Sequence, residues 1–595
     1  LTSLQHQPLS IDETATLSDL LRLRAETTPQ APAYREFHPG SGWQSFSWEQ
    51  IAADVAQWQA AFVAEGLKAG DRVAIMLRNC VDWVRFDQAA QGLGLVVVPL
   101  YMQDRPENSA YVLNDSGAQL LLLENEQQWQ LIAATNHLEG DIRRVLVQSE
   151  EGAAPSGPLT RLSTWLEQAP SNPITTNTDP SSLATIIYTS GTTGRPKGVM
   201  LSHSNIVTNL VSVGQLVQLT PADRLLSFLP LSHALERTAG YYMAIYRGSE
   251  TAFARSVADL SEDLLSIRPT VLISVPRIFE RAKNAVDAKL ETKPALLKRL
   301  FKFTIDLGWK NYLHQQKRGP RPLMSWLLPL LFRLFGRPVL DAFGGRLRFA
   351  VCGGAPLSAD VAKTFTGLGL PLLQGYGLSE TSPVISGNPL EANRPESVGK
   401  IITGVEIKIG DHDEILCRGP NIMLGYWNNP DATAAVMDEE GWFHTGDCGR
   451  TEDGYLFITG RIKDIIVLAN GEKIPPAEME QAIERDPLID QCMVIGEARP
   501  YLAALVVISP AELDRLNRDR KQSLSEDDPA LEQELVNRIA AAIAEFPGYA
   551  KIHRVAVSTA PWDVDNGLLT PTLKVKRAAV EAQFADKIID LYAGH

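Results

Sequence analysis

Apolar residues recur along this chain in two rhythms. Near the start, Leu17, Leu20 and Leu21 share one helical face, and Trp48 to Phe62 form a second amphipathic run, so residues 16–65 are expected to be helical. Short continuous apolar runs come next. DRVAIML (71–77) and GLVVVPL (94–100) read as buried strands, and CVDWVRFDQAAQGLG between them reads as a helix closed by glycine. Strand, helix and strand at this spacing predict βαβ units and parallel sheet. AQLLLLEN (118–125) and RRVLVQS (143–149) continue the alternation, and EEGAAPSGP (150–158) reads as a surface loop.

The second half repeats the style in RLLSFLP, TVLISVP (270–276), LRFAVCGG (347–354) and PLLQGYGLSE (371–380). Each run ends in Gly, Pro or polar residues, where α/β proteins carry their ligand loops. From about residue 399 short strands and turns take over. Residues 461–595 have their own strands (CMVIGE, LAALVVIS), their own helices (PAEMEQAIER, ELVNRIAAAIAEF) and a charged loop (LNRDRKQSLSEDDP). The pattern predicts an α/β fold: a large N-terminal lobe of several subdomains with parallel and mixed sheets over 1–460, and a small α+β domain over 461–595 hinged near Arg461–Asp464.

Composition narrows the function. The 595 residues are 45% hydrophobic and 21% charged, which suits several cored units and argues against disorder. Lys and Arg number 56 against 70 Asp and Glu, a net charge of −14 that disfavours nucleic-acid binding through bulk charge. Five scattered cysteines (80, 352, 417, 448, 492) without a CxxC pair fit reduced thiols in a cytoplasm better than a disulfide scaffold or a zinc site. The start lacks the basic-then-apolar order of a signal peptide. No uncharged apolar stretch reaches the roughly 18–20 residues of a spanning helix.

The richest chemistry lies in LATIIYTSGTTGRPKGVMLSHSN (183–205). An apolar strand runs into Thr189, Ser190, Gly191, Thr192, Thr193 and Gly194, then Lys197. Glycines let backbone N–H groups approach an anion, hydroxyls add donors, and lysine adds charge, the chemistry of a triphosphate cradle. It matches neither a Walker A loop nor GxGxxG. Composition alone also permits a polar hairpin turn.

YTSGTTGRPKGVM closely resembles the signature of the adenylate-forming superfamily: acyl-CoA synthetases, luciferases and peptide-synthetase adenylation domains. Further motifs follow in the family's order across most of the chain. LPLSHALER (229–237) resembles the motif at the carboxylate pocket, implying that His233 lies near the acyl carbonyl and that Glu236 and Arg237 shape the pocket. FAVCGGAPLS (349–358) resembles the adenine loop, with Gly353 and Gly354. LQGYGLSETSP (373–383) implies Tyr376 stacking on adenine between Gly375 and Gly377, Mg²⁺ on Glu380 with Ser190, and Thr381 on the α-phosphate. GWFHTGDCGR carries Asp447 for the ribose hydroxyls, and GRIKD carries Arg461 for ribose or phosphate and Lys463 at the hinge. Asn470–Gly471 offers an easy turn in a segment expected to face coenzyme A. In TPTLKVKR (570–577) the family's C-terminal lysine aligns with Lys574, with Lys576 as the alternative, because Leu573 stands where many members have glycine.

The resemblance implies an acyl-CoA synthetase-like fold with a mobile C-terminal domain. It also implies a two-step reaction: a carboxylate attacks the α-phosphorus of ATP, then the thiol of coenzyme A displaces AMP. PRIFER (276–281) and the long stretch 283–346 resemble long-chain fatty acyl-CoA synthetases, implying a long-chain fatty acid as substrate. Alternatives are a fatty acyl-AMP ligase or acyl-carrier-protein synthetase, or a catalytically silent lipid-binding relative. Residues 298–337 hold nine basic residues against one acid, Asp306, around the apolar PLMSWLLPLLFRLFG (322–336). That pattern suits an anionic membrane surface, on the inner membrane face, or a buried helical hairpin with a solvated basic side. Oligomeric state is not legible.

Overall fold

The computed structural model describes residues 9, 15–140, 142–150, 159–169, 178–189, 195–469, 472–520, 523–544, 546, 550–563, 566–570 and 574–593. Two sheets form the frame of the lobe. The first runs Gly425–Tyr426, Lys197–Ser202, Leu183–Thr189, Val96–Pro99, Arg72–Met76, Leu120–Leu123, Arg144–Val147, Leu159–Arg161. From Leu183–Thr189 onward its neighbours are parallel, as the βαβ spacing predicts. Its other end turns antiparallel, pairing Leu183–Thr189 with Lys197–Ser202 and that strand with Gly425–Tyr426.

The second sheet has 13 strands. Its parallel part runs from Pro32–His38 through Glu250–Phe253, Arg224–Ser227, Val271–Ser274 and Phe349–Cys352 to Leu372–Gly377. Beyond Leu372–Gly377 every pairing is antiparallel, through Val384–Gly387 to Tyr455–Arg461 and Phe443–Glu452. The motif residues gather at this change of direction, where strand ends leave room for a ligand.

The region after Arg461 is built separately. Ile489–Ile495 and Leu502–Ile508 pair antiparallel, and Ile552–Ser558, which the sequence reading missed, joins parallel to the latter. Two hydrophobic clusters, Ile466 to Val557 and Met493 to Tyr592, are drawn wholly from this region. Among the described residues no cluster mixes side chains from the two sides of Arg461.

Two sequence expectations are corrected. Residues 16–65 are not one helical region: Leu17–Thr27 and Trp48–Ala64 are helices, but Pro32–His38 and Gly42–Ser47 form an antiparallel hairpin between them. Gly40 and Gly42, at φ +88° and +76°, make its turn, and Tyr34 and Arg35 pair with Thr251 and Ala252. That distant partner has no trace in local periodicity. The charged loop 516–529 begins one turn late, because Pro510–Arg520 is helical. Glu512 in its first turn and Arg518 and Arg520 in its last complement the helix dipole.

Candidate active site

The strands Leu183–Thr189 and Lys197–Ser202 pair Thr189 with Lys197, so these two residues bracket positions 190–194 in the chain. Ser190, Gly191, Thr192, Thr193 and Gly194 lie outside the described residues, as does Gly471. The Lys197 ammonium sits over the Tyr426 ring, 5.0 Å from its centroid. Tyr426 is brought there by pairing with Val199 at the sheet edge. It donates its hydroxyl to Glu380 Oε1 at 2.8 Å. Tyr426 escaped the sequence reading: a tyrosine in a two-residue edge strand carries no local signal, and only the register with Lys197–Ser202 gives it a role.

Glu380 is held by its loop. The Met423 N–H donates to the Glu380 carbonyl at 2.9 Å, and Asn421 and Asn209 donate to the carbonyls of Thr381 (2.9 Å) and Val384 (2.7 Å). Gly377 meets the returning chain so closely that a Cβ there would collide with the Pro383 carbonyl. Thr381 departs from expectation. Its buried hydroxyl donates to the Pro383 carbonyl and accepts the Leu378 N–H at 3.0 Å, so it holds its own turn rather than pointing at a phosphate.

Across the cleft, Asp447 and Arg461 are register partners in neighbouring strands. Arg461 donates to Asp447 Oδ1 and the Tyr376 hydroxyl to Oδ2, both at 2.7 Å. Burial raises the Tyr376 phenol well above its ordinary value, with Asp447 adding to the effect, so it remains a donor. Gly375 lies in the same strand, opposite Gly387. Gly353 lies under Leu235, and Gly354 opens on space, with Val275 nearest.

Lys574 comes from the C-terminal region; its carbonyl accepts the Thr570 N–H at 2.8 Å and its own N–H donates to Thr570 Oγ1 at 3.0 Å. Lys574 is exposed as a residue, yet surrounding protein partly shields its ammonium from solvent. Enclosure lowers its pKa and Arg461 pushes the same way, against Asp447 and Glu380. Lys576 instead stands at the N-terminal boundary of the helix Arg577–Gln583, with no capping bond from its side chain. Lys463 is exposed in the turn Ile462–Asp464, immediately after Arg461.

His233 accepts the Leu235 N–H on Nδ1 at 3.2 Å, which leaves its proton on Nε2. Burial pushes its pKa down to about 4, and the Lys574 charge pushes the same way, so the imidazole is neutral near pH 7. The neighbouring Arg237 differs from the pocket-shaping expectation. Arg237 is fully buried in an ion pair with Asp87 and also donates to Thr185 Oγ1 at 2.8 Å, tying the turn Glu236–Tyr242 to the helix Val81–Gly92 and the strand Leu183–Thr189. Glu236 is buried with Oε2 unpartnered.

Among the described residues no group of three or more His, Cys, Asp or Glu could hold a metal. The donor set around Glu380 is a single carboxylate, which fits Mg²⁺ shared with substrate phosphates and does not fit a metal caged by protein alone.

Comparisons with known proteins give the family of the chain. The family described as AMP-binding enzyme matches residues 21–427, and the AMP-binding enzyme C-terminal domain matches 463–595. "Long-chain-fatty-acid--CoA ligase FadD15" of Mycobacterium tuberculosis is 32% identical over 98% of both chains. "Long chain acyl-CoA synthetase 6, peroxisomal" of Arabidopsis thaliana is 31% identical over 90% of this chain and 79% of its own. Among solved structures, the anthranilate CoA ligase AuaEII in complex with anthranoyl-AMP superposes with a TM-score of 0.74 at 18% identity, over 97% of this chain and 99% of that one. The adenylation domain of a Mycobacterium chelonae carboxylate reductase gives 0.76 at 23%, over 97% and 91%; at such identities these structures speak for the fold alone. With two family matches that together span the lobe and the C-terminal region, the chain belongs to the AMP-binding enzymes.

Proposed function

We propose that this protein is an ATP-dependent long-chain fatty acid–CoA ligase. A fatty carboxylate attacks the α-phosphorus of ATP and pyrophosphate leaves; the thiol of coenzyme A then takes the acyl group and AMP leaves. The observation that carries this reading is that Lys574, from the C-terminal region, comes within electrostatic reach of Glu380 and Asp447 of the lobe and of Arg461 at the hinge.

Charge is the main obstacle in the first step, because an anionic nucleophile must approach a polyanion. In this reading Lys574 offsets charge between the carboxylate and the α-phosphate. Lys197 faces the outer phosphates with Thr189, Ser190, Gly191, Thr192, Thr193 and Gly194. Asp447 accepts the ribose hydroxyls, exchanging its bonds to Tyr376 and Arg461 for them. Tyr376 offers a ring face to adenine, beside Gly353, Gly354, Gly375 and Gly377. Neutral His233 presents an Nε2 proton towards the acyl carboxylate. Thr381 keeps the Glu380 turn in shape. Mg²⁺, held by Glu380 and Ser190, would neutralise phosphate charge.

The second step needs Lys574 out of the way. We assign 1–460 to the lobe and 461–595 to a domain that turns about Lys463, bringing Gly471 and its neighbours towards coenzyme A. The separate hydrophobic clusters on either side of Arg461 support independent units. The reading places the enzyme in the cytoplasm, with its fatty acid drawn from an anionic membrane surface. No helix among the described residues is long and apolar enough to cross a membrane.

Purified protein given oleate, ATP and Mg²⁺ should exchange labelled pyrophosphate into ATP, and should release AMP once coenzyme A is added. Absence of exchange across acids of rising chain length overturns the reading. Exchange without a coenzyme A product moves the acceptor to a carrier protein.

A further inference from the structure

Large apolar side chains are left in water unevenly on this molecule. Of 14 such exposed residues among the described ones, eight fall within residues 296–334. The tip of that segment carries Leu323, Met324, Trp326, Leu330 and Leu334, with Leu323 98% and Trp326 74% exposed. The buried-hairpin reading is therefore half right. Leu328 and Leu331 do pack inward on Leu307 with Leu327, Phe332 and Phe335, in a small cluster of their own. The remaining apolar side chains face outward.

The tip rests on firm ground. Its platform, the helix Ala295–Gln315, lies so close to the lobe at Gly308 that a Cβ there would collide with the Gly367 carbonyl. Asn393 donates to the Tyr312 hydroxyl at 2.8 Å from the same side. Phe301 meets Phe335 edge-on at 5.9 Å. The apolar tip is thus a fixed projection, and its exposure calls for a partner.

Charge identifies that partner. The chain as a whole is at −14, yet residues 298–337 carry nine cations and one acid. Arg321, Arg333 and Arg337, beside the tip, are all exposed. Arg318 pairs with Glu396 and Arg337 with Asp341; among the described residues the other seven cations are in no ion pair. A second copy docking through the same face would oppose two cationic surfaces. An anionic lipid surface matches the cations, and its acyl boundary matches the apolar tip.

We propose that Leu323, Met324, Trp326, Leu330 and Leu334, flanked by Arg321 and Arg333, form a docking knuckle that seats in the headgroup boundary of an anionic bilayer. The knuckle lies on the membrane and does not span it. Its purpose rests on the ligase reading, since a fatty acid partitions into bilayers, but its test needs no catalysis.

The full chain is sedimented with vesicles of phosphatidylcholine alone and with vesicles that also contain phosphatidylglycerol. Binding is expected only to the anionic vesicles and is expected to fall with added salt. Arg321→Glu/Arg333→Glu should weaken partitioning by at least about tenfold. Trp326→Ser/Leu330→Ser should weaken it at low salt too, with thermal midpoint and pyrophosphate exchange on detergent-dispersed oleate kept as folding controls. Equal binding by both folded variants, or no binding by the parent, overturns the proposal. So does pelleting without vesicles accompanied by a doubled mass, which would assign the face to a second copy. Vesicle binding by a parent that never exchanges pyrophosphate would sink the ligase reading and leave the knuckle standing.

Discussion

Tyr426 joins the two oppositely charged arms of the site: its hydroxyl reaches Glu380 Oε1 at 2.8 Å while its ring carries the Lys197 ammonium 5.0 Å from the centroid. Burial and the Glu380 charge keep the phenol protonated, so it is a permanent donor to the candidate metal carboxylate. Outer-shell partners of this kind orient a ligand, and losing one typically costs about 10–100-fold in metal affinity or activity. Tyr426→Phe keeps the ring under Lys197 and removes only the donor. It should raise the Mg²⁺ concentration for half-maximal rate about tenfold, with the KM for fatty acid unchanged. A superimposable Mg²⁺ titration would reduce Tyr426 to packing.

Lys574 and Lys576 are separated by one residue and by environment. Lys574 feels Arg461, Asp447 and Glu380, whereas Lys576 starts a helix. Lys574→Ala should slow pyrophosphate exchange by about 10²–10³-fold, the usual scale for losing a charge-stabilising group. Transfer of the acyl group from supplied acyl-adenylate to coenzyme A should persist. Lys576→Ala should leave both near parental rates. Equal loss in both half-reactions for Lys574→Ala would give it a structural role.

Much of this was legible in the chain because the chemistry is written in contiguous motifs. The βαβ spacing of 71–149 gave the parallel sheet, and the YGLSE and TGD motifs singled out Tyr376 and Asp447, which the fold joins by a hydrogen bond. Legibility failed where long-range pairing decides. The hairpin Pro32–Ser47 depends on the strand Glu250–Phe253, and Tyr426 depends on register with Val199. Arg237 was misread for a related reason: a motif gives the residue's position but not the direction of its side chain, and Asp87, which captures it, lies 150 residues away.

That buried pair makes a stability prediction. Arg237 and Asp87 are 2% and 0% exposed, and Tyr241 and Tyr242 also donate to Asp87 Oδ2 at 3.0 and 2.9 Å. Removing one partner strands a charge in the core, at a cost of about 3–5 kcal/mol. Arg237→Met should therefore lower the denaturant midpoint sharply. The double variant Arg237→Met/Asp87→Asn should recover much of the loss, because it removes the stranded charge. A midpoint for Arg237→Met equal to the parent's would show that the pair contributes nothing.

Glu236 predicts a pH dependence of stability. Its carboxyl lies folded back along the wide turn Glu236–Tyr242, so close to Gly240 that a Cβ there would collide with it, and Oε2 has no partner. Burial raises its pKa from 4.5 to about 8, with a hydrogen bond to Ser227 opposing. Below 4.5 the group is protonated folded or unfolded, and its contribution is fully present. As pH rises the unfolded carboxyl ionises while the folded one keeps its proton, so stability falls until the folded pKa near 8 is passed. At neutral pH the loss is on the order of 3 kcal/mol. Glu236→Gln has no proton to release. Its thermal midpoint should change less than the parent's between pH 5 and pH 8, and should exceed the parent's at the alkaline end. Parallel midpoint curves for the two proteins would show that Glu236 ionises in the folded state at an ordinary pH, and that water or a counter-charge reaches its unpartnered oxygen.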